Sequence, residues 1–259
     1  MLIDTESPST FPSAMQDIIY GYIVDNLSSV EAKIKAALPE NNSDVRCAIE
    51  DYLRPTKAEL LYRQLWEIME ENNLICYHAT KVLERQQFIE DGLRVNEWNR
   101  YSASIRNSLE SLNAPDVDRA VECIHKEYER KYNLIGVEPQ IYFFSGLLMA
   151  DEGNFAGYDQ FCQNIGGELA RWALKDAMPE TYQLLKNSGR QLIVKFSLPF
   201  QDIAAYQQDA VLYQFVCHYA AKCFWNRKYT VRYDGSTHKD IAPNQILEII
   251  EYRKEVDYE

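Results

Sequence analysis

The sequence predicts an α+β protein in which strands are few and helices abundant. Apolar residues recur at helical spacing over long stretches, as at Ile18, Ile19, Tyr22, Ile23 and Leu27, and again at Leu60, Leu61, Leu65, Ile68 and Met69. Between such stretches lie short apolar runs at 74–78, 140–145 and 191–197, the last dense in β-branched and aromatic residues. No internal repeat or low-complexity segment interrupts the pattern.

Taken in order, residues 1–73 read as an N-terminal helical region. It is punctuated by Pro39 and by Arg54-Pro55-Thr56, with Thr56 placed as an N-cap. A strand at 74–78 follows, then a helix over about 81–91 ended by Gly92, a usual residue beyond a helix end. A helical insertion covers about 98–134, with a break near Pro115. The strand carrying Tyr142 comes next, then a loop at Asp151-Glu-Gly-Asn154 and helix-like sequence over 155–187, interrupted by Gly166-Gly167. The strand at 191–197 leads to a helix over about 207–225. Residues 229–233 alternate as a strand, Asp234-Gly235 reads as a turn, and a last helix is expected from Asn244 to Glu251 after Pro243. The expected division is a helical region at 1–73 and a second domain at 74–259.

Composition bounds the function. At 259 residues the chain can bury a substantial core, and 46% hydrophobic with 25% charged residues is ordinary for a globular protein. Acidic residues outnumber basic ones, 39 to 27, for a net charge of −12. Such a chain repels polyphosphate at long range, which argues against nonspecific nucleic-acid binding. The 18 tyrosines supply flat apolar area with a hydrogen-bonding tip, useful in cores and clefts alike.

Cys47, Cys76, Cys123, Cys162, Cys217 and Cys223 are scattered without a CxxC pair, which indicates a reducing compartment and no disulfide framework. Cys217-His218 with Cys223, and Cys123 with His125, lack the spacing of a closed zinc site, so no metal is expected. The acidic start has no signal-peptide order, and no apolar run approaches a membrane span. The expectation is a cytoplasmic protein, or one exported without a cleavable signal peptide, with no membrane partner. Lys222, Trp225, Arg227, Lys228 and Tyr229 form a small basic-aromatic cluster that reads as a solvated helix end. No GxSxG, Walker or Rossmann glycine pattern occurs.

The chemistry-bearing signal is Tyr77-His78-Ala79-Thr80, where an apolar run ends in an imidazole and a hydroxyl, with Gly92-Leu93 after the next helix. Ile141-Tyr142-Phe143 with Ser145 is a second buried-strand signal carrying a tyrosine. In this order the segments resemble the first and second motifs of the ADP-ribosyltransferase superfamily, both the poly(ADP-ribose) polymerases and toxin-type members. Tyr158 lies in roughly the region of a second nicotinamide-stacking aromatic, and the segment 240–250 resembles the closing strand and helix. The resemblance covers about residues 74–250 and implies a split β-sheet core with an N-terminal helical layer and helical insertions.

The resemblance implies NAD as substrate. His78 would hydrogen-bond a ribose hydroxyl with Thr80 supporting the grip, Tyr142 would lie against the nicotinamide with Tyr158 as a second aromatic near it, and Tyr77 and Ser145 would also belong to the NAD-binding set. Breaking the glycosidic bond creates an oxocarbenium-like ribose cation, so a carboxylate must hold the ribose 2'-hydroxyl and face that charge. In the polymerases it opens the last strand, where this chain has Asp234 rather than a glutamate. Glu168 follows Gly166-Gly167 and resembles a glycine-small-glutamate turn of bacterial relatives, which makes it the expected carboxylate, with Asp234 in reserve.

The implied activity is mono-ADP-ribosyl transfer to a macromolecular acceptor, protein or nucleic acid, by a bacterial toxin, defence protein or effector. An inhibitory partner protein would fit that setting. NAD hydrolysis would use the same residues. A noncatalytic binding module on the same fold, or an unrelated α+β protein, stand as alternatives. Each residue also has a bland role: His78 as a bonded strand-end histidine, Tyr142 as core, Glu168 as a charge at a helix start, and Gly166-Gly167 as a helix break.

Overall fold

A computed structural model describes residues 1–24, 55–136, 138–146, 158, 161–226 and 234–251. The chain is mixed helix and sheet, in agreement with the α+β class. Its elements are β1 (Leu2–Ile3), α1 (Ser13–Val24), α2 (Pro55–Met69), β2 (Asn73–Val82), α3 (Gln86–Asp91), α4 (Trp98–Ser111), α5 (Val117–Tyr128), a π-helical turn (Glu129–Leu134) and β3 (Ile141–Phe144). There follow α6 (Gly167–Leu174), α7 (Pro179–Asn187), β4 (Arg190–Pro199), α8 (Ala205–Trp225), β5 (Asp234–Thr237) and β6 (Ile246–Glu251). The strand order is β5-β3-β2-β4-β6, with β1 pairing on β2.

The described residues form two compact units. The first takes its residues from Met1–Cys76, Phe144–Glu152 and Ser197–Ser236, the second from Tyr77–Phe143, Gly153–Phe196 and Thr237–Glu259. The chain passes from one unit to the other within β2, β3, β4 and β5.

In the first unit, α1 buries Met15, Ile19 and Ile23, and α2 buries Leu61, Leu65 and Met69. Both sets repeat every four residues, so each helix turns one stripe to the core. The two helices pack on each other and on α8, where Phe11 meets Phe215 edge-on at 5.2 Å. Each fully buried side chain of this kind contributes about 1.5–3 kcal/mol. Leu2 and Ile3 are not helical; they pair in parallel with Asn73 and Leu74.

In the second unit a helical cluster follows the same rule. Tyr101, Ile105 and Leu109 of α4 and Ala120, Ile124 and Tyr128 of α5 are buried against Leu169, Ala170 and Leu174 of α6. The helices expected over 98–134 are therefore present, parted at Leu112–Asp116, where the Asp116 side chain caps α5 by accepting from the Arg119 N–H at 3.2 Å.

Four boundaries differ from the sequence reading. β2 runs on through Thr80 to Val82, so the next helix starts at Gln86 rather than near 81. Residues 246–251 are a strand, not a helix, because they pair antiparallel with β4 from Leu192↔Glu251 to Phe196↔Ile246. Only a short helical turn over Pro243–Gln245 precedes it. Asp234-Gly235 opens β5 instead of forming a turn. The expected strand at 229–233, the loop at 151–154, Pro39 and most of the basic-aromatic cluster lie outside the described residues.

Gly92 ends α3 as expected, with φ 73°. A side chain there would overlap the Ile241 carbonyl. The space is closed because Leu93 and Ile241 exchange backbone hydrogen bonds of 3.0 and 2.8 Å.

Candidate functional site

A cleft of about 780 Å³ lies wholly within the second unit. That volume is in the range of small-molecule sites. Its walls come from β2, the α3 end with its following loop, α4, the π-helical turn, β3 and the start of α6.

Strand alternation decides what β2 presents. Successive side chains point to opposite faces, so His78 and Thr80 share one face while Tyr77 and Ala79 share the other. The first pair is part-exposed and lines the cleft; Tyr77 and Ala79 are buried. The Tyr77 ring has the Lys195 ammonium 5.9 Å from its centre.

His78 Nδ1 lies 2.7 Å from the backbone carbonyl oxygen of Tyr142 on β3. A carbonyl only accepts, so Nδ1 carries the proton and donates. Burial pulls the His78 pKa down from its ordinary value, and the bond to Tyr142 offsets part of that. Neutral His78 therefore has a free lone pair on Nε2, suited to accept from a hydroxyl group. The Tyr142 side chain lines the cleft at 40% exposure, its hydroxyl accepting from Gln140 Nε2.

Glu168 stands in the first turn of α6, after two glycines with φ 78° and 60°. The turn is fixed by its surroundings. Tyr101 donates to the Gly166 carbonyl at 2.7 Å, and Asn164 Nδ2 donates to the Ile165 and Gly167 carbonyls at 2.8 and 2.9 Å. A Cβ on Gly166 would come within 2.7 Å of Ile105 and 2.8 Å of Ala170. Glu168 lines the cleft but is not free in it: Lys131 Nζ is 3.0 Å from Oε2, and Arg171 is 3.9 Å from Oε1.

The cleft thus gathers His78, Thr80, Tyr142 and Glu168. Ser145 and Tyr158 are buried, and neither they nor Tyr77 line the cavity. The Ser145 carbonyl accepts a bond from the Thr5 hydroxyl within the first unit. Asp234, at the start of β5, belongs to the first unit and is not among the lining residues.

Several lining residues went unread in the sequence. Lys131 and Tyr132 sit on the π-helical turn, a geometry often found at functional sites. Burial chiefly, together with the Tyr142 phenol, pushes the Tyr132 pKa up to about 12. Asp240, which is not itself a lining residue, receives bonds from three that are: the Val95 N–H at 2.8 Å, Arg94 at 3.1 Å and Arg100 at 2.8 Å. Burial alone would raise its pKa, but these donors outweigh it and hold the carboxyl below its ordinary value. The only hint in the sequence was the alternation of charge and aromatic rings at Tyr128-Glu-Arg-Lys-Tyr132.

Among the described residues no His, Cys, Asp and Glu side chains gather as metal ligands, and no helix is long and apolar enough to cross a membrane. The chain matches no protein-family model, no curated protein and no solved structure.

Proposed function

We propose that the cleft binds NAD and cleaves its nicotinamide–ribose bond, passing ADP-ribose to a macromolecular acceptor. One observation carries the reading: a single cleft holds His78, Thr80, Tyr142 and Glu168, with His78 bonded to the backbone carbonyl of Tyr142. Neutral His78 accepts a hydrogen bond from a ribose hydroxyl at Nε2, and Thr80 lies two residues on along the same strand face. The exposed Tyr142 ring offers a face to the nicotinamide. The C–N glycosidic bond breaks with its electron pair leaving on nicotinamide. Glu168 stabilises the cationic ribose, and the acceptor's nucleophile bonds to the same carbon and releases its proton. Water in the acceptor's place gives NAD hydrolysis by the same groups.

A noncatalytic ligand-binding module is the second reading. The observation favouring it is the Lys131–Glu168 ion pair, which engages the carboxylate that catalysis needs. Nicotinamide release from NAD by the purified protein, beside His78→Ala and Glu168→Gln, separates the two. Release lost in both variants supports catalysis. NAD binding by calorimetry without release, with or without added protein or nucleic-acid acceptors, supports the module; neither binding nor release rejects both.

A further inference from the structure

Lys131 is one of two enclosed lysines of the cleft; the other, Lys81, gives its ammonium to the Lys186 carbonyl. The Lys131 side chain is only 14% exposed, and its Nζ lies 3.0 Å from Glu168 Oε2. Its other neighbours are aromatic faces, with Trp172 at 5.4 Å and Tyr132 at 5.6 Å from the nitrogen. Rings attract a cation but accept few of its three N–H bonds, so the carboxylate is its one strong acceptor among the described contacts.

Charge around it is unbalanced. Among the described residues five lysines and arginines line the cleft against three carboxylates, in a chain whose net charge is −12. Arg94 and Arg100 are answered by Asp240, and Arg100 again by Glu97. Among the described residues Lys131 and Arg171 share Glu168 as their one carboxylate, and Arg171 also reaches the neutral Gln163 side chain at 3.5 Å. Two cations with one carboxylate leave one positive charge on this wall.

The two partners also differ in freedom. Glu168 is 40% exposed and open to water, whereas the Lys131 side chain is only 14% exposed and has less water to replace an anion beside it. A phosphate group carries more charge and more acceptor oxygens than a carboxylate, and so matches the pair of cations better.

We propose that Lys131, with Arg171, forms a phosphate-binding subsite of the cleft that Glu168 fills in the free protein. A phosphorylated ligand displaces the Glu168 carboxylate, which is then released for other work. The inference deepens the dinucleotide reading above and rests on it for the ligand's full identity, but the subsite is testable without NAD.

Calorimetric titration of the 259-residue chain with inorganic pyrophosphate is the experiment, with NAD titrated alongside. Pyrophosphate should bind the wild type. Lys131→Met should weaken it about tenfold or more, Lys131→Arg should retain it, and Glu168→Gln should tighten it several-fold by removing the competing charge. No pyrophosphate binding, or equal affinity in Lys131→Met and wild type, overturns the subsite. So does a Glu168→Gln affinity no better than wild type. Should Lys131→Met fail to fold, the Glu168→Gln comparison alone decides. Pyrophosphate binding without NAD binding keeps the subsite and removes the NAD reading; NAD binding untouched by any of these variants does the reverse.

Discussion

His78 and Tyr142 are tied across neighbouring strands by a 2.7 Å bond from an imidazole nitrogen to a backbone carbonyl. The bond orients the ring and sets its tautomer, leaving Nε2 as an acceptor. His78→Ala should therefore abolish nicotinamide release without unfolding the protein, as read by product assay beside circular dichroism. Because burial lowers the His78 pKa, the ring stays neutral as pH falls past the ordinary histidine value of about 6.5. Release should hold through pH 6.5 and fail only in more acid solution; an acid limb above that value would contradict the assignment.

The Tyr142 ring and its hydroxyl have separable roles. Tyr142→Ala should weaken NAD binding by about 1–3 kcal/mol, the range of a lost base–aromatic stack. Tyr142→Phe removes only the exposed bond from Gln140 and should stay within about 0.5 kcal/mol of wild type in calorimetry.

Gly92 combines a positive φ with contact against the Ile241 carbonyl. Gly92→Ala must strain the turn and push apart the Leu93–Ile241 bridge. Chemical denaturation should show a loss of about 1–3 kcal/mol.

His218 on α8 is buried, and burial lowers its pKa to about 4. Folded and unfolded chains then differ in proton uptake between about 6.5 and that value, the unfolded chain binding more. Stability is full above the unfolded pKa and falls as pH drops through this window, by roughly 2–4 kcal/mol at about 1.4 kcal/mol per pH unit. Denaturation midpoints at pH 7.5 and 4.5 should show the loss, and His218→Gln should flatten it.

Glu168 illustrates how far the sequence reaches. Its place after two glycines was legible, since a glycine pair before a helix is a local signal. Its partner Lys131 is 37 residues away, and no spacing rule joins a π-helical turn to the start of α6. The packing of α5 on α6 brings them together. Ser145 and Tyr158, read in the sequence as site candidates, are buried away from the cavity wall, because burial depends on neighbours that the local pattern does not name.

The sequence by itself determined the α+β class, the amphipathic stripes of α1 and α2 and the Gly92 stop. Each follows from short-range sterics and side-chain period, which act within a few residues. Only the tertiary structure decided that Ile246–Glu251 is a strand, since an apolar run rich in isoleucine suits a helix or a strand until β4 supplies the backbone partners. The same holds for the Lys131–Glu168–Arg171 charge cluster. Pairing and burial between distant segments are set by the folded chain as a whole, because their free energy appears only when both partners are in place.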